Sequence, residues 1–202
     1  MDRNLSQNLA RYREDFGNSA DLVIRTFTIT GTPAAILSLE SMIDKKLVAE
    51  AVLQPILHVR PQADDPITKL DLIYQSALAT VDQQMVDQDE TAIERLMNGF
   101  ALLFLDGNAR AIAFGVQGYA SRSVSEPQNE SMQFGSREGF VEPLNKNISL
   151  LRRRLKTPDL TFERHVVGSA SRTQVCLAYL RSEASPAIVQ QVRQNLRSVN
   201  LK

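Results

Sequence analysis

Apolar residues switch between two periods along the chain. Leu5, Leu9, Tyr12 and Phe16 recur at i, i+4, i+7 and i+11, one narrow stripe along a helix over residues 4–16. Gly17-Asn18-Ser19 ends that helix. Leu22 to Ile29 is rich in β-branched and aromatic residues and predicts a strand. The turn signal Gly31-Thr32-Pro33 leads to a second strand, Ala34 to Glu40, so an antiparallel pair is expected. Asp44 is placed to cap a helix over residues 45–54, which Pro55 should stop.

The middle of the chain reads in the same way. Asp65-Pro66 opens a helix carrying Ile67, Leu70, Tyr74, Ala77 and Leu78. A short strand is expected around Met85, then a helix over residues 90–98 capped by Asp89 and closed by Gly99. Phe100 to Leu105 and Arg110 to Gln117 flank Asp106-Gly107-Asn108-Ala109, which predicts a β-hairpin. Residues 121–139 are polar and read as a connector.

The last third echoes the first. Leu144, Ile148, Leu151 and Leu155 repeat the spacing of the first helix, displaced by 139 residues. Asn8 and Asn147 keep that offset, as do Arg13 and Arg152. Asp21-Leu22 and Asp159-Leu160 continue the echo with one residue deleted, and Gly31 corresponds to Gly168 ahead of a strand over residues 172–180. A final helix follows, with Pro186 near its start and Ile188, Val192, Leu196 and Val199 on one face. Helix–strand–strand–helix thus occurs twice, the second time as a repeat of residues 4–56. The expected fold is α/β, with two similar sub-domains over residues 1–130 and 131–202, each a small mixed sheet packed with helices.

Charge and composition narrow the function. The 202 residues carry 23 Lys+Arg and 23 Asp+Glu, so no global field draws the chain to nucleic acid or an anionic membrane. The single Cys176 excludes an intrachain disulfide. Met1 is followed by polar and charged residues, unlike a signal peptide. The longest apolar run, Phe100 to Leu105, falls far short of the about 20 residues a membrane span needs.

Chemistry has little raw material. His58 and His165 are the only histidines, and no Cys–His signature surrounds Cys176, so a Cys–His hydrolase is a remote alternative. Asp82, Asp87, Asp89 and Glu90 lack the layout of a calcium loop, and no His/Cys cluster has metal-ligand spacing. Gly135 to Gly139 lacks the Lys-Ser/Thr of a phosphate loop. Arg137 could assist an anion at the following helix N-terminus, or pair with Glu138 or Glu142. Arg152-Arg153-Arg154 is the one basic run. At 100° per residue its side chains fan out, Arg153 away from the apolar stripe and the other two flanking it. The flanking pair could bridge to carboxylates of another unit or lie in solvent. No metal, cofactor or catalytic residue is expected.

One segment carries a resemblance. Ser125-Glu126-Pro127 leads through Glu130 to Gly135-Ser136-Arg137-Glu138-Gly139-Phe140, then Glu142, Leu144, Asn147, Leu150-Leu151-Arg152-Arg153-Arg154, Lys156, Pro158 and Leu160. This resembles the signature of the spore germinant-receptor A-subunit family. Phe16-Gly17-Asn18-Ser19, Asp21 to Arg25 and Leu105-Asp106-Gly107 are also similar to that family, so the likeness extends along the chain. Ser136 departs from it, since the family usually has proline there. The resemblance implies a soluble N-terminal domain of a non-enzymatic receptor subunit in the spore inner membrane. Membrane spans absent from this sequence would attach it. B and C subunits, and possible self-association, are the implied partners, and small nutrients the implied signal. A cleft between the two halves would suit such a ligand. Arg137, Glu138, Asn147, Arg152, Arg153 and Arg154 are the candidate ligand or interface residues.

Overall fold

The computed structural model describes residues 1–58, 65–76, 82–118 and 139–199. The Asn4 side chain accepts the Gln7 amide and starts α1 (Leu5–Asp15). Gly17 and Asn18 then take left-handed conformations, with φ of 58° and 53°, and turn the chain sharply out of the helix. β1 (Leu22–Ile29) and β2 (Thr32–Leu39) pair antiparallel with Ile29 opposite Thr32. The turn between them is therefore only Thr30-Gly31, both at positive φ (45° and 81°), as a tight hairpin demands. It lies slightly ahead of the Gly31-Thr32-Pro33 signal, and β2 starts two residues earlier than expected.

The helix after β2 departs most from expectation. The Asp44 carboxylate accepts the amides of Lys46 and Leu47 and starts α2 (Lys45–Leu47). The helix does not stop at Pro55. It runs through a π segment (Val48–Leu53) into α3 (Gln54–His58). Pro55 has no N–H for the carbonyl four residues back, and its ring would collide there. A wider turn ahead of it, in which the Gln54 amide bonds Ala49 five residues back, lets the helix continue.

Then come α4 (Pro66–Ser76), β3 (Gln83–Val86), α5 (Asp89–Met97), β4 (Phe100–Leu105) and β5 (Ala111–Gly115). Asp89 is not the N-cap of α5, which is Gln88. Its carboxylate is taken instead by the Met1 amino group, Arg11 and the Tyr12 hydroxyl. The last elements are α6 (Leu144–Arg154), β6 (Leu160–Val167), β7 (Thr173–Leu180) and α7 (Pro186–Ser198). Residues up to 138 of the expected connector lie outside the described residues, as do Ala77 and Leu78.

The architecture is α/β, with a five-stranded sheet in the order β1-β2-β4-β5-β3 and a two-stranded sheet β6-β7. Every pairing is antiparallel, which refines the expectation of mixed sheets. All six residues of β4 are buried. Leu5, Leu9, Tyr12 and Phe16 of α1, with α5, cover one face of its sheet; Val48, Val52 and Ile56, with α4, cover the other. Two-sided cover explains why Phe100 to Leu105 is an unbroken apolar run rather than an alternation. In the smaller sheet, Ile148 and Leu151 of α6 pack against Phe162 and Leu180. α7 lies on its other face, held by Arg193 against Glu163.

The helix–strand–strand–helix order of residues 4–58 recurs over residues 144–198. The registers also match: Leu22 pairs with Leu39 as Leu160 pairs with Leu180. The Asn8 carboxamide clasps the backbone N–H and C=O of Asp2, at 2.9 and 2.6 Å. Asn147 clasps Val141 in the same way, at 2.8 and 2.7 Å. Both partners lie six residues upstream.

The five-stranded sheet is locked at one end by a close backbone crossing. Gly118 donates to Met42, and a Cβ on Gly118 would fall 2.2 Å from the Asp44 nitrogen. Backbone cannot swing aside as a side chain can. Gly118→Ala should lower unfolding free energy by about 1–3 kcal/mol, measured as a lower urea midpoint at constant slope. An unchanged midpoint would show that this crossing yields freely.

Candidate functional site

α6 brings one charged side chain into the space between the sheets. Ile148 is buried against β6, and Arg152 follows one helical turn later on nearly the same face. Its side chain is fully buried, as is that of Asp21. Arg152 Nε lies 2.8 Å from Asp21 Oδ2, and Nη2 lies 2.9 Å from Oδ1, a two-pronged pair. Nη2 also donates to Ser19 Oγ at 3.2 Å, and Nη1 to the Thr157 carbonyl at 3.0 Å. Ser19 Oγ donates to Asp21 at 2.6 Å and accepts the Phe162 amide at 2.9 Å. The guanidinium carbon sits 4.9 Å from the ring centre of Phe162 and 5.8 Å from that of Phe16.

This cluster ties α6 and β6 to the head of β1. The Ala20 amide adds a backbone bond to the Phe162 carbonyl, at 2.8 Å. Taking two ions out of water costs several kcal/mol each, and only full hydrogen bonding offsets it. Here the guanidinium makes four hydrogen bonds. Arg152 and its partners thus fill this part of the space between the two sheets.

The other candidate residues separate. Arg153 is half-buried and Arg154 exposed at the C-terminal end of α6, where the helix dipole favours cations. The three arginines fan out as their spacing predicts, but Arg152 points inward rather than to solvent. Asn147 spends both amide functions on Val141, so it orders the approach to α6. Arg137 and Glu138 lie outside the described residues.

A second bridge joins the sheets nearer the surface. Glu40 accepts from Arg164 of β6 at 2.7 Å and from Lys45, and Arg164 also reaches Asn145. The Lys45 bond, ahead of the Arg164 charge, holds the Glu40 carboxyl below its usual range. Glu40 also edges a groove of about 290 Å³ between the β1–β2 hairpin and the helix over residues 45–58. Sequence reasoning missed Ser19, Asp21, Glu40 and this groove. Ser19 and Asp21 stand in the segments similar to the family, and Asp21 also marks the repeat, but nothing local points to Arg152 as their partner.

Cys176 is half-buried, and burial pushes its thiol up, away from the reactive thiolate. It pairs across the hairpin with Arg164, so its neighbour-in-register His165 points to the opposite face. His165 instead sits 3.5 Å from Glu163. No cluster that could hold a metal ion occurs among the described residues. None of their helices is long and apolar enough to cross a membrane.

Comparison with known proteins assigns the family. Residues 10–202 match the family model described as Bacillus/Clostridium GerA spore germination protein. The chain belongs to the GerA family. Spore germination protein KA of Bacillus subtilis (strain 168) is 28% identical over 98% of this chain and 36% of its own length. Spore germination protein B1 of the same organism is 27% identical over all of this chain and 41% of its own length. The chain therefore spans about two fifths of these relatives. The fold matches the crystal structure of the N-terminal domain of the A subunit of the Bacillus megaterium spore germinant receptor GerK3. That match has a TM-score of 0.73 and 25% identity, covering 99% of this chain and 73% of that one. GerA membership accords with the resemblance read from Gly135 to Leu160.

Two outcomes test this geometry. Arg152→Met leaves the Asp21 carboxylate buried without its partner and should cost about 3–5 kcal/mol; Arg154→Met, at an exposed position in the last turn, should cost under about 1 kcal/mol. Chemical denaturation of both variants checks the contrast, and equal losses would refute it. The second concerns acid. The Arg193 hydrogen bonds, with a smaller part from Tyr179, hold Glu163 down from 4.5 to about 2. A depressed carboxyl contributes stability that is complete above 4.5 and lost as pH falls towards about 2. The melting-temperature gap between the parent chain and Glu163→Gln should be constant above that window and close within it. A gap that persists at the acid end would contradict the assignment.

Proposed function

We propose that this chain acts in nutrient-triggered spore germination as the N-terminal domain of a germinant-receptor A subunit. It is built from a 1–130 unit and a 131–202 unit and works with B and C subunits at the spore inner membrane. Membrane spans of a longer chain would attach it. The observation that carries this reading is the match of 99% of the chain to an A-subunit N-terminal domain. No catalysis is assigned to it.

Within that role the geometry favours coupling between the two sheets. Arg152–Asp21 fastens them at the core, and Glu40–Arg164 bridges them at the rim. A nutrient or partner subunit that shifts one hairpin then acts on the other through fixed charge pairs rather than through a hinge. Assembly is the second reading. Val166 and Ile188 stay 59% and 63% exposed on the smaller unit, apolar area that a partner subunit could cover.

The rim pair separates coupling from folding. An exposed ion pair contributes about 0–1 kcal/mol, so Arg164→Met should leave the melting temperature nearly unchanged. Spores carrying the complete A subunit with Arg164→Met should need more nutrient for half-maximal germination, at equal receptor abundance. An unaltered dose response would remove the coupling role. Normal germination by an A subunit lacking this whole domain would remove the broader one.

A further inference from the structure

The two hairpins carry their following helices in matching places. Arg25 lies opposite Ile36 and Val23 opposite Ser38. Glu163 lies opposite Leu177 and Thr161 opposite Tyr179. Val48, in the helix after β2, and Val189, in α7, are both buried to 8% exposure. One turn further, four residues on, stand Val52 and Arg193. The space between hairpin and helix therefore corresponds in the two units, but its contents differ.

In the smaller unit that space is filled from within. Arg193 Nε lies 2.8 Å from Glu163, and the Tyr179 hydroxyl donates to the same carboxylate at 2.6 Å. In the larger unit the matching positions are Val52, Arg25 and Ser38. The strand now supplies the cation, the helix supplies no anion, and a hydroxymethyl group stands where the other unit has a phenol ring. The groove of about 290 Å³ is what remains. Arg25 lines it and has no hydrogen-bond or ion-pair partner among the described residues. Ile36, Val48 and Leu53 make its walls apolar. Glu40, at its other end, is already paired with Lys45 and Arg164.

We propose that this groove binds a small monocarboxylate with a compact apolar body. The carboxylate pairs with the Arg25 guanidinium, and the body covers Ile36 and Val48, supplying the anion and the ring that Glu163 and Tyr179 supply in the other unit. The volume is at the low end for ligand pockets, which limits the body to about one ring or branched chain. The site gives a ligand class to the sensing role proposed above and rests on that role only for its biological consequence. Because Glu40 also holds Arg164, a molecule in this groove would lie one ion pair from the smaller unit.

Calorimetric titration of the 202-residue chain tests the site with phenylacetate and its neutral isostere phenylacetamide. Phenylacetate should bind at least about tenfold tighter than the amide, the margin of one charge-assisted contact. Arg25→Met should abolish the preference for acid over amide, and Ala49→Phe, which fills the groove, should abolish binding of both. Arg25 is exposed, so its variant should melt with the parent chain and carries the test even if Ala49→Phe fails to fold. No phenylacetate binding at millimolar concentration, equal binding of acid and amide, or an acid preference that survives Arg25→Met would each overturn the proposal. None of these results bears on the germination role, which is read from spores carrying Arg164→Met. An unaltered germination response in those spores would likewise leave the binding site standing.

Discussion

A buried guanidinium can be tolerated only where every nearby element turns a partner towards it, and much of this fold is arranged around Arg152. α1 ends in two left-handed residues, Gly17 and Asn18, so that the chain doubles back and presents Ser19 and Asp21 at the start of β1. Phe16, the last member of the α1 stripe, serves the core of the large sheet and also stands beside the guanidinium. β6 places Phe162 on the other side and gives its backbone to Ser19 and Ala20. A buried ion pair contributes little net stability against a well-packed apolar alternative. Its effect is on register. A one-residue rotation or slide of α6 would part Arg152 from Asp21 and leave two buried charges unpaired, which disfavours other dockings of α6.

The two units share a skeleton and solve the problem of cover differently. In the larger one the hairpin is extended by β4, β5 and β3, and helices lie on both faces. The smaller one remains a two-stranded sheet, which is marginal by itself. Its α7 has only Val189 fully buried. Polar chemistry compensates: Arg193, Tyr179 and His165 converge on Glu163 in the half-buried layer under α7. In that setting hydrogen-bonded charge is worth more than at an open surface.

The periods in the sequence located the described elements well, because stripe and alternation report burial directly. All four members of the first stripe are buried. The elements failed where a local rule competed with a distant partner. Pro55 reads as a stop because nothing nearby announces that the preceding turn will widen into π register. Asp89 reads as a cap because it precedes a helix, whereas its true partners are Met1, Arg11 and Tyr12. Leu155 completes the second stripe by spacing, yet it caps α6 and stays 41% exposed. The spacing leaves Arg152 as a flanking charge that either bridges to a carboxylate of another unit or lies in solvent, and it names no partner. Its burial depends on Asp21, 131 residues away, and no periodicity carries that information. The groove was hidden for the same reason: it is defined by what Val52 and Ser38 are not.

That difference follows from the sheets themselves. A two-stranded sheet cannot leave an apolar interface open under the one helix described on that face, since little else among the described residues would hold the helix in place. The smaller unit therefore fills the space with Arg193, Glu163 and Tyr179. The five-stranded sheet has cover to spare on the corresponding face, where Leu70, Ile73 and Ile56 continue the core beyond the groove. Removing one layer of contact there does not release the helix. Arg25, without a partner among the described residues and beside apolar walls, is thus an arrangement that the larger unit can sustain, and the monocarboxylate proposed for the groove would restore the contact that its counterpart makes internally.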